Sequence, residues 1–461
     1  MPRTTDGAAE RASPGWGRWL LPANQLIHAS GAFGFNVLFQ TLTMWLVYFY
    51  APPPEAGRAV IVPLAVLGLL LGIGRVLEAI DDAAIGHWSD MVRSRWGRRL
   101  PFIVAGTPLM VLLYLLIWQP PVTTMPWSAV YAFVVIQLYY LATTLVHQPY
   151  EAVQAEIART PAERVRLSSW KVVFGLAGTG VGLVGSGLLI GRYGFAGMAL
   201  IFGLVALASV LFSAIGIRRL AQPPPAEADF TLWDSLRITA TNRQFLVFAA
   251  SEVMFFLGMN MLTQVLPFFV RVVLDAPETE VSLITALFIG AALASLPAVN
   301  WLTVRRGKAF TYQLAMALLV VMLPGLFFVG QLPGLDPLLQ ARLYIALLGV
   351  PMSVVFVLPN PFVADIVDDD EWRTGLRREG IYYGVEETIT KAGYALSAAV
   401  FGLTLDRFGF SAAEPLGIRL IGPIAGLGIL IGLAVFRLGY RLPDSIPPPP
   451  ARSPAPPLSG A

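Results

Sequence analysis

The chain has 461 residues, 56% of them hydrophobic and only 13% charged, with a mean hydropathy of +0.66. A water-soluble fold of that length has nowhere to hide so much apolar surface, so lipid is the solvent for most of it. The absence of cysteine excludes disulfides and thiolate chemistry, and a formal charge of +3 is small for this size, so no nucleic-acid partner is expected.

Residues 1–25 form a polar N-terminal segment, expected to be flexible and cytoplasmic. Apolar stretches of membrane-crossing length, about 20 residues, then fall near 26–50, 60–88, 101–119, 127–150, 168–191, 196–217, 244–272, 281–304, 309–330, 340–366, 380–405 and 415–438. The first is too long for a signal-peptide core of about 7–15 residues, so no leader is expected. It carries Asn36 at membrane depth. The second carries Arg75, Glu78, Asp81 and Asp82 and runs into the basic loop from Arg93 to Arg99. The fourth holds His147 near its end. The fifth holds Lys171 and the glycines 175, 178, 180, 182, 185 and 187, a pattern that predicts close helix packing through small faces. Residues 218–243, with Gln222-Pro-Pro-Pro225, read as a helix-free cytoplasmic linker between an N-terminal six-helix bundle (26–217) and a C-terminal one (244–438). The eleventh stretch bears Glu386, Glu387 and Lys391, and a Pro-rich cytoplasmic tail occupies 439–461.

Basic residues concentrate in alternate loops, after the second, fourth, sixth, eighth and tenth stretches. The positive-inside rule therefore places both termini in the cytoplasm of a cell that carries this chain in its inner membrane. The loops Trp88–Phe102 and Trp301–Phe310 occupy equivalent places in the two halves, the mark of an internal repeat of the kind that builds secondary transporters.

An ionisable group inside a bilayer costs several kcal/mol and marks a functional site. At about 100° per residue, Arg75, Glu78 and Asp82 share one helix sector with Asp81 beside Glu78. Acids spaced i,i+3 and i,i+4 repel, so they require a bound cation, bound protons or basic partners. Arg75 and Lys391 are the candidate partners, and three acids against two bases leave room for one monovalent cation. Glu387, four residues before Lys391, is a further charge partner. A static salt-bridge cluster, or an interfacial position for Asp81 and Asp82, is the alternative. His147 titrates near neutrality unless it is simply hydrogen-bonded. The histidines show no metal-ligand spacing, and no nucleotide-binding or hydrolase motif is present, so the chain reads as no enzyme, without a cofactor, and any uphill transport draws on an ion gradient.

Arg75-x-x-Glu78-Ala-x-Asp81-Asp82-x-x-x-Gly86, the loop Arg93-Ser-Arg-Trp-Gly-Arg-Arg-x-Pro101, Gly31-Ala-Phe-Gly34, Pro149-Tyr-x-Ala152, Val363-Ala-Asp-Ile-Val-Asp368 and the downstream Lys391 together resemble the glycoside–pentoside–hexuronide:cation symporters. These are the melibiose-permease branch of the major facilitator superfamily, and the similarity runs over nearly all twelve stretches. The resemblance implies an all-α membrane protein of twelve transmembrane helices in the major facilitator fold. It implies that Glu78 and Asp82, with Asp81 beside them, bind Na⁺, Li⁺ or a proton, with Lys391 close by. It implies substrate-side roles for Asn36, His147 and Lys171, which stand where the melibiose carrier has two acids and an arginine, a change that points away from galactosides. Arg95, Gly97, Arg98 and Arg99 match the family's cytoplasmic loop motif. The expected activity is Na⁺- or H⁺-coupled symport of a sugar or glycoside by a monomer. A lysolipid or other amphiphile carrier of the same family, and a non-transporting membrane sensor, are the alternatives.

Overall fold

In lipid the backbone must satisfy its own polar groups, which leaves an apolar chain without barrel-forming alternation to fold as helices. The computed structural model describes residues 23–91, 99–158, 161–216, 232–375 and 378–443, with the side chains at 79–80, 82–84, 86–91, 155–156, 161–162, 165, 232–236, 355–356 and 380 outside that description. Its helices are α1 (Ala23–Ala29), α2 (Gly31–Tyr50), α3 (Leu64–Met91), α4 (Leu100–Ile117), α5 (Trp127–Ile157) and α6 (Pro161–Ile215) in the first half. The second half has α7 (Leu232–Thr241), α8 (Arg243–Phe268), α9 (Thr279–Arg306), α10 (Lys308–Met322), α11 (Pro337–Val357), α12 (Pro359–Thr374), α13 (Glu379–Phe408) and α14 (Leu416–Gly439).

Among the described residues, nine helical spans are long and apolar enough to cross a membrane. The longest of them is α6. It breaks at Gly194, where φ 69° and ψ −179° put the backbone in a region open essentially to glycine, and so divides into two crossings. Adding α3 and α13, whose charged residues depress their hydropathy, completes twelve crossings. Among the described residues the fold is all-α, two six-helix bundles.

Two expectations need correction. The stretch 340–366 is two helices, α11 and α12, which meet at Leu358: Pro359 has no N–H to donate to the carbonyl four residues earlier, while Leu358 itself keeps helical angles of φ −94° and ψ −21°. The linker 218–243 is not helix-free: Leu232–Thr241 lies beyond the prolines and is helical, and Asn242 caps the next helix by accepting from the backbone N–H of Gln244 and Phe245.

The orientation of α3 follows from its side chains. Leu69, Ile73 and Val76, spaced i, i+4 and i+7, are 52–59% exposed and form the outward, lipid-facing stripe. Arg75 and Glu78 lie on the opposite face and point inward, against α13. Gly68 and Gly72 on α3 and Ala398 and Gly402 on α13 form two small faces that let the antiparallel backbones touch. A Cβ on Gly402 would sit 3.0 Å from the Leu64 carbonyl oxygen, and one on Gly68 would sit 3.1 Å from that of Ala398. With that register set, moving about two to three turns from Gly68 and Ala398 along the two helices brings Glu78 opposite Lys391.

The glycines of α6 do what their pattern predicted. Gly178 and Gly182 lie against the backbone of α2 at Phe33 and Val37, whereas a Cβ on Gly180 would meet nothing within 4 Å. At the end of the molecule that carries residues 51–63, the bundles are joined directly. Tyr48 donates to Glu278 (3.1 Å), Arg271 donates twice to the Glu55 carbonyl (2.9 and 2.6 Å), and the Ala412 N–H donates to the Glu55 carboxylate (2.6 Å).

This packing separates two neighbouring glycines. Gly178→Ala is expected to destabilise the detergent-solubilised protein by about 1–3 kcal/mol, as for overpacking in a filled core. Gly180→Ala should be neutral or stabilising by up to about 1 kcal/mol. Equal melting temperatures for the two variants would contradict the α2–α6 contact.

Candidate functional site

The site is built around the Glu78 carboxylate. Arg75, one turn earlier on α3, donates from Nη1 to Glu78 Oε2 at 2.7 Å, and Lys391 Nζ of α13 approaches Glu78 Oε1 at 3.6 Å. All three side chains are 12–13% exposed. Each oxygen of one acid thus faces a base, one from its own bundle and one from the other. Arg75 is further held in a cage of rings, its guanidinium carbon 4.5 Å from the centroid of Tyr140 and 5.7 Å from those of Phe39 and Tyr394. Such cation–π contacts are worth roughly 0.5–2 kcal/mol each when desolvated.

Beside this cluster, between α2, α5 and α13, lies a cavity of about 270 Å³. Phe35, Phe39, Tyr139, Tyr140 and Tyr394 give it aromatic faces, and Asn36, Thr143, Thr144, His147 and Thr390 give it uncharged polar groups. Arg75, Glu78, Glu387 and Lys391 also line it. Convergent polar groups in a concave, largely apolar pocket at the junction of two bundles are the usual makings of a small-molecule site. A second cavity of about 100 Å³ is lined by apolar residues including Met44, Leu183, Met259, Phe269, Phe288 and Met352, with Arg419 at one end.

The residues predicted from sequence divide between these places. Arg75, Glu78 and Lys391 converge. Glu387 faces the same cavity and is exposed there. Asn36 is on its wall, donating to the Ala32 carbonyl (2.9 Å) and accepting from Thr179 (3.3 Å). His147 is also on the wall, with its ring edge-on to Phe35 at 4.9 Å. Asp81 is partly buried on α3 and interacts with a neighbour. The Asp82 side chain and residues Arg95, Gly97 and Arg98 lie outside the described residues. Arg99, the last of that loop motif, is buried at the start of α4 and is engaged by neighbours.

Lys171 is placed differently from the substrate-side expectation. It is not among the cavity-lining residues: its Nζ donates to Glu151 (2.5 Å) and Gln154 (3.1 Å) of α5 and sits 4.9 Å from the Tyr150 ring. His147 Nε2 also lies 3.6 Å from Glu151 Oε1. Sequence reasoning missed Glu151, although its i,i+4 spacing from His147 was a readable signal. It also missed the ring cage, whose members lie on three helices. In the second half, Lys308 pairs with Asp365, which ties the basic loop before α10 to the Val363–Asp368 motif, and Arg378 makes a bidentate pair with Asp370 (2.8 and 2.6 Å).

Lys171 is nearly buried while the Glu151 side chain is 41% exposed, and removing one partner of a pair held partly out of water costs more than removing both. Lys171→Met is therefore expected to lower the melting temperature, and Lys171→Met with Glu151→Gln to restore part of the loss. A double-mutant cycle with no coupling between the two positions would show that the pair contributes nothing.

Comparison with known proteins gives one consistent result. A family model described as "MFS/sugar transport protein" matches residues 27–438. The inner membrane symporter YicJ of Escherichia coli K12 is 26% identical over 393 residues, covering 82% of this chain and 81% of that protein. The isoprimeverose transporter of Lactiplantibacillus pentosus is 24% identical, covering 90% and 88%. The crystal structure of the nucleoside transporter NupG superposes with a TM-score of 0.64 over 92% of this chain and all of that one, at 14% identity.

Proposed function

Because the chain belongs to the MFS sugar-transport family, a family of multi-pass membrane transporters, we propose that it is a symporter carrying a sugar or glycoside with Na⁺ or H⁺ by alternating access. The observation that carries the proposal is the Glu78 carboxylate held between Arg75 and Lys391 on the wall of the aromatic cavity. Flat aromatic faces take the C–H faces of a sugar ring, and Asn36, Thr143, Thr144, His147 and Thr390 supply hydroxyl partners. The symporter and sugar-transporter names of the relatives agree with this reading.

Coupling is differential affinity of two conformations for two ligands, and it is reciprocal. Two unit charges about 4 Å apart attract by about 4 kcal/mol at an effective dielectric near 20. In the state described, Lys391 holds α13 against α3 with an attraction of that order. A cation arriving at Glu78 and Asp82 competes with Lys391 for the same carboxylate. It releases the lysine towards the cavity and Glu387, and loosens the junction between the bundles. With Arg75 retained, the cluster then holds the cation at little net charge. Na⁺, Li⁺ and a proton all satisfy this logic.

The positive-inside rule places residues 51–63 outside the cell. On that reading the bonds from Glu55, Tyr48 and Glu278 close the outer side, and both termini lie in the cytoplasm. The protein is proposed to work as a monomer in the inner membrane. A second reading, transport of a lysolipid, rests on the apolar cavity beside Met44 and Phe269, which has the chemistry to take an acyl chain.

Uptake of a panel of labelled glycosides and lysolipids into vesicles, with Na⁺ and pH gradients imposed separately, tests both. A glycoside is expected to accumulate with one of the gradients. Asp82→Asn and Lys391→Ala should each lower gradient-driven uptake at least about tenfold, while Asp82→Asn keeps part of its exchange activity. Undiminished accumulation in either variant would sink the cation role assigned here, and accumulation of lysolipid alone would replace the sugar.

A further inference from the structure

The C-terminal bundle contains an acid that the mechanism above does not use. Glu252, in the middle of α8, is 3% exposed, and neither of its carboxylate oxygens has a donor among the described residues. Its neighbour across the α8–α13 contact is another acid, Glu386, whose side chain comes within hydrogen-bonding reach. A fully ionised carboxylate in such a place, without a donor, would face the full cost of burial and the repulsion of a like charge. Two carboxyl groups within hydrogen-bonding reach resolve both costs by holding one proton between them.

We propose that Glu252 and Glu386 bind one shared proton, forming a proton site in the C-terminal bundle separate from the Glu78 cluster. The groups around it favour this occupant. Glu386 of α13 is the hydrogen-bonding neighbour of Glu252, and the charge of Glu252 is felt by the phenols of Tyr394 on α13 and Tyr312 on α10, as that of Glu387 is felt by Glu386. On α14 the near contact is Gly432, against the Ser251 carbonyl, and the Ser251 hydroxyl lies 3.4 Å from that of Tyr312. No group of three or more His, Cys, Asp or Glu side chains able to hold a metal ion occurs among the described residues. A proton needs only the pair.

The site also has an exchange route. Glu386 is partly exposed, whereas Glu252 is buried, so protons reach the buried carboxyl through its partner. Glu386 is the residue before Glu387, which is exposed in the cavity. The shared proton joins α8 to α13, the helix that also presents Lys391 to Glu78. Its loss would set two like charges together and push those helices apart. The inference does not depend on which ion the Glu78 cluster binds.

Infrared difference spectra of the full-length protein test it. The wild type is expected to show, near neutral pH, a protonated-carboxyl carbonyl stretch that shifts in D₂O. Glu252→Gln and Glu386→Gln should each remove it, and Glu78→Gln should leave it. Glutamine keeps the shape and one donor, and a melt of each variant confirms that it is folded. Because the folded state would hold a proton that the unfolded chain releases, melting temperature should fall as pH rises from neutral in the wild type, and Glu252→Gln should flatten that fall. Absence of the band in folded wild-type protein, its survival in folded Glu252→Gln, or its loss in Glu78→Gln would each overturn the proposal. Failure of gradient-driven transport in the uptake assay would leave this band in place, so the two readings fail separately.

Discussion

A single carboxylate in a lipid-embedded helix organises this molecule. Glu78 is only 12% exposed, and its oxygens are met by Arg75 from the same helix and Lys391 from the opposite bundle. That requirement decides which face of α3 turns inward. It calls for an aromatic cage to steady the guanidinium, and it demands that α13 come close enough to deliver a lysine. The small faces at Gly68, Gly72, Ala398 and Gly402 meet the last condition, since bulkier side chains there would hold the helices apart. Packing and electrostatics are thus one arrangement.

The same arrangement accounts for how such a protein changes state. Within each bundle the contacts are backbone-close and apolar, which makes the bundle a stiff body. Between bundles, Lys391 meets Glu78 near the substrate cavity, while Tyr48, Glu55, Glu278 and Arg271 form a layer at one end. Beside the close backbone contact of α3 with α13, these polar contacts have two discrete arrangements available, made or broken, and a ligand that competes for one carboxylate biases the choice. Whatever binds in the cavity touches residues of both bundles and therefore senses that choice.

Much of the candidate site was legible because charge in an apolar stretch is costly and conspicuous. Arg75, Glu78, Lys391 and Glu387 stand out against their neighbours in the chain, and the helical period places the first two on one face. Lys171 stands out in the same way, yet its partner is Glu151, from the preceding helix and not from the substrate cavity. Conspicuousness reports that a group needs a partner, not which one it finds. Glu252 shows the converse: a lone acid near the middle of an apolar stretch gains meaning only when α13 brings Glu386 beside it. The ring cage was silent in sequence because aromatic residues are ordinary in membrane helices and nothing in their spacing marks convergence across three of them.

The amino-acid order by itself determined the solvent, the twelve crossings, the split into two halves and the intramembrane charges, because each of these depends on local composition and on the cost of moving a group from water to lipid. It also carried a signal for the break after Leu358, once Pro359 was weighed against its neighbours. Tertiary structure alone decided which base reaches which acid, where a cavity opens and which carboxyl is left without a donor. Those outcomes depend on the register and spacing of helices hundreds of residues apart, set by backbone contacts at glycines that no periodicity along the chain assigns to a particular partner.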